Sequence, residues 1–309
     1  MSKSIFSAPH FNDEAAAFAY VEAKLWANGR VCPHCGVVDR SGALKGKTNR
    51  IGLYKCYACR KPFTVKVGTI FEDSHIQLRD WLTAIQLICS SKKGLSSNQL
   101  HRTLGITLKS AWFLSHRIRE AMRDGALAIP FGSKGGAVES DETFMTRRRR
   151  KGEAPRHDAY KMKVLTLIDR DTKQARSHVI ANVKQDTIMR IVDANVSREA
   201  RMMTDQARYY QYAFSGYASH EMVDHSKEEY VRGEVHTNTA EGYFSIFKKG
   251  MKAVYQHCEE KHLHRYLAEL DFRYNNRVAL GVNDAPRADR ALKGVVGKRL
   301  TYRTTNQGF

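Results

Sequence analysis

The stretch Cys32-Pro33-His34-Cys35 recurs with the same spacing as Cys56-Tyr57-Ala58-Cys59. Two thiolates three positions apart can meet one tetrahedral ion from a single turn, and two such turns complete a closed structural site. Residues 36–55, between the pairs, are rich in Gly, Lys and Arg and lack a long apolar periodicity. Such an insert suits a short ribbon that a metal holds together. The sequence therefore predicts one structural Zn²⁺, held by Cys32, Cys35, Cys56 and Cys59.

Two disulfides, or four unrelated cysteines, are the alternatives to zinc. Disulfides belong to secreted proteins, and residues 1–20 include Asn12, Asp13 and Glu14 but no uninterrupted apolar core of a signal peptide. We therefore expect a cytoplasmic protein in which Cys89 and Cys258 are reduced packing residues. A site with four thiolates needs no fifth ligand, so His34 is expected to lie outside the ligand set.

Composition indicates a polyanionic partner. The chain has 309 residues, 42% of them hydrophobic, with a formal net charge of +19 and a sequence pI near 9.7. This length allows two or three domains and a full core. No apolar run approaches the roughly 18 residues of a spanning helix, so we expect no membrane association. Nucleic acid is the expected partner, and a merely soluble, highly charged surface is the alternative.

The region from Phe71 to Asp124 is predicted to be helical. Ile76 to Ser90 carries an apolar stripe at helical spacing, which indicates packing. Ser96 and Gln99 have capping-box spacing, Gly105 ends that helix, and Thr107 can cap the next one. Two helices joined by a tight glycine turn predict a helix-turn-helix, with a plain helical hairpin as the alternative. Its second helix is expected to present outward Lys109, Ser110, His116, Arg117 and Arg119.

After a small-residue linker the chain changes character. Strands are predicted at Val138–Phe144, Lys161–Ile168 and Arg176–Val183, a helix at Asp186–Val192, and a strand at Ala200–Asp205. Three strands in succession, then helix, strand and helix, is the order of a ribonuclease-H-like α/β domain. Between the first two strands lies a basic run that predicts a loop gripping nucleic acid, or a solvated charge run: Arg147, Arg148, Arg149, Arg150 and Lys151.

Three acids acquire a chemical purpose in this order of elements. Asp141 lies within the first strand and Asp205 at the end of a later one, so both are expected at the same edge of the sheet. Glu241 lies where a long helix begins, and Lys248, seven positions on, shares its helix face. Converging carboxylates repel unless hard cations neutralise them, which paired Mg²⁺ ions do at phosphodiester-cleaving sites. A cation at Lys248 can hold a DNA phosphate.

At this point a resemblance becomes specific. The chain resembles the bacterial insertion-sequence transposases of the ISXO type, a DDE group with an N-terminal zinc ribbon. The matching pieces are the ribbon from Cys32 to Cys59, the phrase Glu139-Ser140-Asp141-Glu142-Thr143, and His236-Thr237-Asn238-Thr239-Ala240-Glu241-Gly242-Tyr243-Phe244 with Lys248-Lys249. They span most of the chain, from the helix before Cys32 to Tyr274-Asn275-Asn276-Arg277.

The resemblance implies roles for particular residues. Asp141, Asp205 and Glu241 would form the metal-binding triad for two Mg²⁺ or Mn²⁺ ions, and Lys248 would contact DNA. The third metal position is not uniformly glutamate in this group, so Asn238 and His236 remain candidates beside Glu241. The chain also departs from the group after Asp141, where Phe144-Met145-Thr146 leads into arginines and related proteins often have glycines.

Each acid also has a structural alternative. Asn238 and Glu241 have the spacing of an N-cap and its capping-box partner, and Asp205 could be an ordinary turn residue. Asp141 could pair with Lys161 or Lys163, and it has a rival in Glu139 on the same strand face. The co-occurrence of all three acids with the ribbon and the basic charge favours the catalytic interpretation.

The expected architecture is multidomain α+β. We place its parts as an N-terminal helix and zinc ribbon at 1–70, a helix-turn-helix DNA-binding region at 71–125, a linker at 126–136, a ribonuclease-H-like catalytic domain at 137–285, and a tail over that domain at 286–309.

The expected function is a DNA transposase that cuts element ends, exposes a 3′-hydroxyl and joins it to target DNA. The partner would be double-stranded DNA, and paired ends suggest a homo-oligomer, at least a dimer. The alternatives are a zinc-ribbon and helix-turn-helix regulator, including a domesticated inactive transposase, and a structure-specific nuclease of the same fold.

Overall fold

The computed structural model describes residues 4–46, 48–123, 129–146, 161–210, 213–223 and 231–301. The chain divides into two compact units, one made of Met1–Arg123 with Gly281–Phe309 and the other of Asp124–Leu280. Each unit buries its own apolar residues and carries its own candidate site. Short 3₁₀ turns accompany the main elements at Ile5–Ser7, Pro9–Phe11, Ser133–Gly135, Arg208–Tyr210 and Val278–Leu280.

The first unit starts with a helix and a small sheet. Helix α1 (Glu14–Leu25) is capped by Asp13, whose carboxylate accepts the Ala16 N–H at 2.7 Å. Strands β1 (Ser41–Ala43), β2 (Tyr54–Cys56) and β3 (Pro62–Phe63) pair antiparallel in the order β1-β2-β3. Among the described residues, the buried members of the ribbon core are Cys32, Cys56 and Phe63. A core of this size is typical of small domains that a metal ion stabilises.

Three helices follow the ribbon: α2 (Leu78–Ser90), α3 (Ser97–Leu104) and α4 (Leu108–Ala121). The apolar stripe predicted on α2 is largely buried, including Leu78, Trp81, Leu82, Ile85 and Ile88. That confirms its interpretation as packing.

The join between α3 and α4 has the predicted chemistry. The Ser96 hydroxyl accepts the Gln99 N–H at 3.1 Å, and the Thr107 hydroxyl accepts the Ser110 N–H at 3.1 Å. Gly105 ends α3 with φ at +64°, a left-handed conformation that glycine adopts without strain. Two capped helices around a glycine turn are the predicted geometry, which a helix-turn-helix shares with a plain helical hairpin, so the DNA-binding interpretation stays a prediction.

The second unit is built on one mixed sheet. Its strands are β4 (Ala137–Thr146), β5 (Lys161–Asp169), β6 (Gln174–Ile180), β7 (Arg201–Asp205) and β8 (Ser219–Val223). In the described part the spatial order is β6-β5-β4-β7-β8, with β6, β5 and β4 antiparallel and β4, β7 and β8 parallel. This is the ribonuclease-H-like order that the sequence predicted, with β8 as a strand that the sequence did not predict.

Helices cover both faces of this sheet. Helix α5 (Gln185–Asn195) packs on one face, where Ile188 and Val192 join the core with Leu165 and Leu167 of β5. Helices α6 (Asn238–Gly250) and α7 (Glu260–Asn275) pack on the other, where Phe244 and Leu267 meet Val164 and Ile168, again of β5. Residues of opposite parity on β5 therefore enter two separate cores. A π-helical turn, Met251–Tyr255, extends α6.

The segment after residue 280 corrects one expectation. We expected residues 286–309 to form a tail over the catalytic domain, yet helix α8 (Asp284–Lys293) belongs to the first unit and packs against α2. There the Arg287 guanidinium donates to the Cys89 carbonyl at 2.7 Å, and Lys24 bonds Asp289 at 2.5 Å. The bounds of the five predicted segments otherwise remain predictions. Within the described residues, no helix is both long and apolar enough to cross a membrane.

Candidate active site and zinc site

The four predicted zinc ligands converge. Sγ of Cys32 lies 3.7 Å from that of Cys59, and Sγ of Cys35 lies 3.7 Å from that of Cys56. All four sulfur atoms lie within 4.8 Å of one another. A tetrahedral ion with Zn–S bonds of about 2.3 Å requires sulfur atoms roughly 3.8 Å apart. The donor set and its spacing fit a structural zinc ion.

The ribbon thiols are shifted in opposite directions. N–H groups of Cys59 and Ala58 lower the pKa of the Cys56 thiol to about 7. Despite a backbone hydrogen bond from Val37, burial and hydrogen bonds with the other sulfur atoms raise the pKa of the Cys35 thiol to about 11. A zinc ligand must be deprotonated, so metal binding would displace the proton from Cys35. His34 Nε2 lies 3.2 Å from the Pro62 carbonyl oxygen, with which it can hydrogen-bond. The histidine inside the first knuckle is therefore engaged elsewhere, as expected for a site with four thiolates.

The structure corrects the predicted outer face of α4. His116 is 0% exposed, Arg117 5% and Arg119 1%, whereas all three were expected to face outward. The Arg117 guanidinium donates to the carbonyl oxygens of Ile70 and Glu72, each at 2.8 Å, and to that of Leu300 at 3.1 Å. Arg119 donates to the Ser115 hydroxyl at 3.0 Å. These cations satisfy groups inside the unit because α4 is packed along most of its circumference.

Only the first turn of α4 keeps the predicted exposure. Lys109 is exposed and Ser110 is half-buried, next to the cap at Thr107. The N-terminal residues of a recognition helix are those that reach base edges in the major groove. The basic run from Arg147 to Lys151, predicted as a further DNA contact, lies outside the described residues.

Strand register brings two of the candidate acids together. In the parallel pairing of β4 with β7, Ala137 lies beside Arg201, Val138 beside Met202 and Glu139 beside Met203. The pairing ends at Glu139 and Met203, and Asp141 and Asp205 each lie two residues further along their strands. Strand alternation puts Asp141 on the same face of β4 as Glu139. Neither aspartate side chain is fully buried.

Burial and the charges of neighbouring carboxylates act on Asp141. Burial, with the charges of Glu142, Asp205 and Glu241, raises the pKa of Asp141 to about 8, against a partly opposing backbone hydrogen bond from Glu142. Glu241 is exposed in the first turn of α6. Among the described residues, the four ribbon cysteines are the cluster of possible metal ligands whose ligand atoms all lie within 4.8 Å of one another. The three acids are not gathered as closely. Mutual repulsion of this kind is what a divalent cation relieves.

The structure bears on the Lys163 alternative for Asp141 and on the turn alternative for Asp205. Lys163 lies opposite Phe144 on β5 and donates to the Ala181 carbonyl, while the partner of Asp141 across β5 is Thr166. Asp205 does make a turn contact, accepting the Ala207 N–H at 3.2 Å through one oxygen. That contact leaves its other oxygen for a further role.

The capping alternative for Glu241 does not hold. The N-cap of α6 is Thr237 and not Asn238, which is the first helical residue and is exposed. The Ala240 N–H of the first turn is instead accepted at 2.9 Å by Glu139, from β4. His236 is also engaged, with Nδ1 2.8 Å from an Arg170 nitrogen. Of these three residues, Glu241 is the carboxylate; it is exposed, and its charge acts on Asp141.

Lys248 lies where the helical spacing predicted. It is exposed on α6, two turns beyond Glu241, so that both side chains occupy one stripe of the helix. Lys249, its neighbour, is also exposed but lies about 100° around the helix.

Sequence reasoning missed the residues that support this site. Glu142 accepts hydrogen bonds from the hydroxyls of Tyr209, at 2.9 Å, and of Tyr210. Burial raises the pKa of Glu142 to about 7, although the two tyrosine hydroxyls act against it. The sequence shows that Glu142 follows Asp141 in the same strand. Because successive strand residues point to opposite faces, this position could have predicted that Glu142 lies on the face opposite to Asp141, where Tyr210 is. The partners of Glu139 are equally remote in sequence.

The fold defines the class of this protein. A zinc ribbon and a helix-turn-helix precede a ribonuclease-H-like sheet with helices on both faces. Family models match both parts: the transposase zinc-ribbon domain over residues 12–62 and the ISXO2-like transposase domain over residues 134–275. Both matches agree with the resemblance to insertion-sequence transposases of the ISXO type that the sequence indicated.

A relative from an archaeon is similar over most of its length. The uncharacterized protein in transposable element ISH50 of Halobacterium salinarum is 29% identical over 241 residues, which cover 72% of this chain and 78% of that protein.

Solved structures give weaker likenesses. A chain of the simian T-cell lymphotropic virus intasome, in complex with PP2A regulatory subunit B56 gamma, is 13% identical with a TM-score of 0.29, over 60% of this chain and 64% of that chain. A chain of the pre-cleavage Mos1 transpososome is 11% identical with a TM-score of 0.24, over 64% of this chain and 78% of that chain. With such low scores the fold assignment rests on the strand order and the family models.

Proposed function

We propose that this chain is a DNA transposase that binds the ends of an insertion sequence and catalyses phosphodiester hydrolysis and strand transfer through a 3′-hydroxyl. The observation that supports the proposal is that Asp141 and Asp205 each lie two residues beyond the last β4–β7 pair, and that the charges of Asp205 and Glu241 both act on the Asp141 carboxyl. Three carboxylates from a central strand, its neighbour and a covering helix suit a metal-dependent phosphodiester site.

The donor set fits Mg²⁺ or Mn²⁺, which prefer carboxylate oxygens. Asp141, Asp205 and Glu241 would hold two such ions. Divalent ions bound there stabilise charge on the attacking and leaving oxygens of a phosphodiester. Lys248, on the same helix stripe as Glu241, would hold a neighbouring phosphate.

The chemistry needs one site and two successive nucleophiles. In the first step a water oxygen attacks the phosphorus at the element end, the P–O3′ bond breaks, and the 3′-oxygen leaves and gains a proton. In the second step this 3′-hydroxyl loses its proton and attacks a target phosphorus in line, the target P–O3′ bond breaks, and the displaced 3′-oxygen gains a proton. The protein's side chains orient these groups and form no covalent bond with DNA.

Recognition of the ends is assigned to the first unit. Base edges are read by an element placed in a groove, whereas phosphate contacts position the protein without specifying sequence. Lys109 and Ser110, in the accessible first turn of α4, are the residues of the helix-turn-helix proposed to contact DNA. The zinc ribbon would share this role. Cutting paired ends calls for a homo-oligomer on double-stranded DNA, at least a dimer.

The test is cleavage and joining of labelled duplex DNA taken from the flanks of the gene, with Mg²⁺ or Mn²⁺. The wild-type chain is expected to form 3′-hydroxyl ends and join them to target DNA. Asp205→Asn is expected to lose on the order of a thousandfold in rate while still binding DNA, because contacts elsewhere supply affinity. Asp186→Asn, the same change at an exposed position on α5, is the matched control and is expected to cleave normally.

Other outcomes identify the alternatives. Specific binding without cleavage under either metal would indicate a regulator or an inactive derivative. Cleavage of junctions or flaps without joining would indicate a structure-specific nuclease. Cleavage retained in Asp205→Asn would remove the proposed triad.

A further inference from the structure

Glu139 is a wholly buried carboxylate, 0% exposed, on the strand that carries Asp141. One of its oxygens accepts from Arg170 Nε at 2.6 Å, and the other accepts the backbone N–H of Ala240 at 2.9 Å. A carboxylate this deep is tolerated only when its oxygens are paired. Both oxygens of Glu139 face protein donors, so this acid is occupied in a way that Asp141 is not.

The bond to Ala240 replaces a missing helix cap. Ala240 is the third residue of α6, whose N-cap Thr237 makes no capping hydrogen bond with its side chain. The first N–H groups of a helix have no partner within the helix, and a carboxylate there is favoured by the helix dipole. Glu139 therefore caps α6 from a strand about a hundred residues away in sequence.

Arg170 extends the same contact to the segment that leads into α6. Its guanidinium donates to the His236 carbonyl at 2.7 Å and to the Glu234 carbonyl, and it lies 2.8 Å from His236 Nδ1. Its Nε remains on Glu139. The Arg170 guanidinium thus connects the segment before α6 to strand β4.

These contacts fix the spacing between two proposed metal ligands. Glu241 directly follows Ala240, and Asp141 is two residues after Glu139 on the same face of β4. We propose that Glu139, held by Arg170, is a positioning residue of the reaction, which sets the start of α6 so that Glu241 meets Asp141 and Asp205. The role rests on the proposed function of those three acids.

The first test is direct Mn²⁺ binding to the DNA-free protein, followed by electron paramagnetic resonance. Glu139→Gln keeps the size of the side chain and an oxygen for Ala240 but presents no carboxylate to Arg170. We expect Mn²⁺ to bind at least tenfold more weakly and the amide of Ala240 to exchange faster with solvent. Cleavage should need correspondingly more Mn²⁺ and recover at saturation.

Glu269→Gln is the matched control for loss of a buried carboxylate. Glu269 is also 0% exposed and accepts from the Tyr255 hydroxyl at 2.5 Å, with Arg273 3.4 Å away, but it lies on α7. The Glu269→Gln variant should lower the melting temperature about as much as Glu139→Gln does and leave Mn²⁺ affinity unchanged. Equal loss of affinity in both variants, tracking their melting temperatures, would reduce Glu139 to a structural residue.

Arg170→Lys is a second test of the positioning role, which can be used if the Glu139→Gln variant does not fold. Lysine keeps the charge but cannot hold Glu139 and two carbonyls together, so weaker Mn²⁺ binding is expected again. Wild-type affinity in either folded variant would overturn the positioning role. If the wild-type chain binds no Mn²⁺, the proposed function fails first, and the positioning role fails with it.

Discussion

The zinc ribbon and the acid site gather their ligands by opposite routes. Each cysteine pair comes from one local turn, and the two turns meet so that the Sγ atoms of Cys32, from the first pair, and Cys59, from the second, lie 3.7 Å apart. The acids come from β4, β7 and α6, and their register is set by long-range pairing. A local site can be located from spacing alone, whereas a distributed site needs the fold and further residues such as Glu139 to hold it.

The largest expected effect breaks the local site. Cys56→Ser should release the zinc and unfold the ribbon, since structural zinc contributes about 10 kcal/mol or more in small domains and the ribbon core is small. Metal content and amide exchange of residues 32–63 would measure this, along with loss of specific DNA binding. Cys258→Ser, at a half-buried position outside the ribbon, is the control that should keep its zinc.

This variant also tests whether the two sites are independent. Mn²⁺ binding at the acids should be unchanged in Cys56→Ser, because its ligands all lie in the second unit. A parallel loss of Mn²⁺ affinity would show that the contrast between the sites is wrong.

The next effect concerns α4, where local pattern was misleading. Arg117→Met should lower the free energy of unfolding by about 3 kcal/mol, because the carbonyls of Ile70, Glu72 and Leu300 would lose their donor. Chemical denaturation measures it. Lys109→Ala should leave stability within about 0.5 kcal/mol but weaken DNA binding several-fold. Normal stability with impaired DNA binding in Arg117→Met would restore the outward face that the sequence predicted.

Sequence could predict what local chemistry determines. The cysteine turns, the caps at Ser96 and Thr107, and the strands that carry Asp141 and Asp205 each follow from a few neighbouring residues. The order of strands then suggested the ribonuclease-H-like sheet, because that order is itself a sequence property.

What sequence missed depends on distant contacts. Arg117 is buried partly by its bond to Leu300, in a segment that sequence assigned elsewhere. Glu139 acquires its role only when Arg170 and Ala240 come to it. Strand β8 was missed because Ser219–Val223 is short and mostly polar, and pairing with β7 determines its conformation.

A sharper test of the distributed site concerns its third ligand. Glu241→Gln should weaken Mn²⁺ binding and slow cleavage by roughly a hundredfold, because one charged ligand is lost. Asn238→Ala should change both less than about threefold, since Asn238 is exposed and does not cap α6. Glu260→Gln, in the exposed first turn of α7, controls for loss of helix-terminal charge. The reverse order of effects would give Asn238 the metal-binding role.

The smallest expected effect separates a contact at the site from general charge. Lys248→Ala and Lys249→Ala remove the same charge from adjacent exposed positions of α6, but only Lys248 shares the stripe of Glu241. Both should reduce the slope of log affinity against log salt by at most about 0.9, the value for one phosphate contact. Cleavage at saturating DNA should fall several-fold further in Lys248→Ala, because its phosphate lies beside the acids. Equal cleavage rates in the two variants would mean that α6 contributes charge to DNA binding without a specific contact at the site.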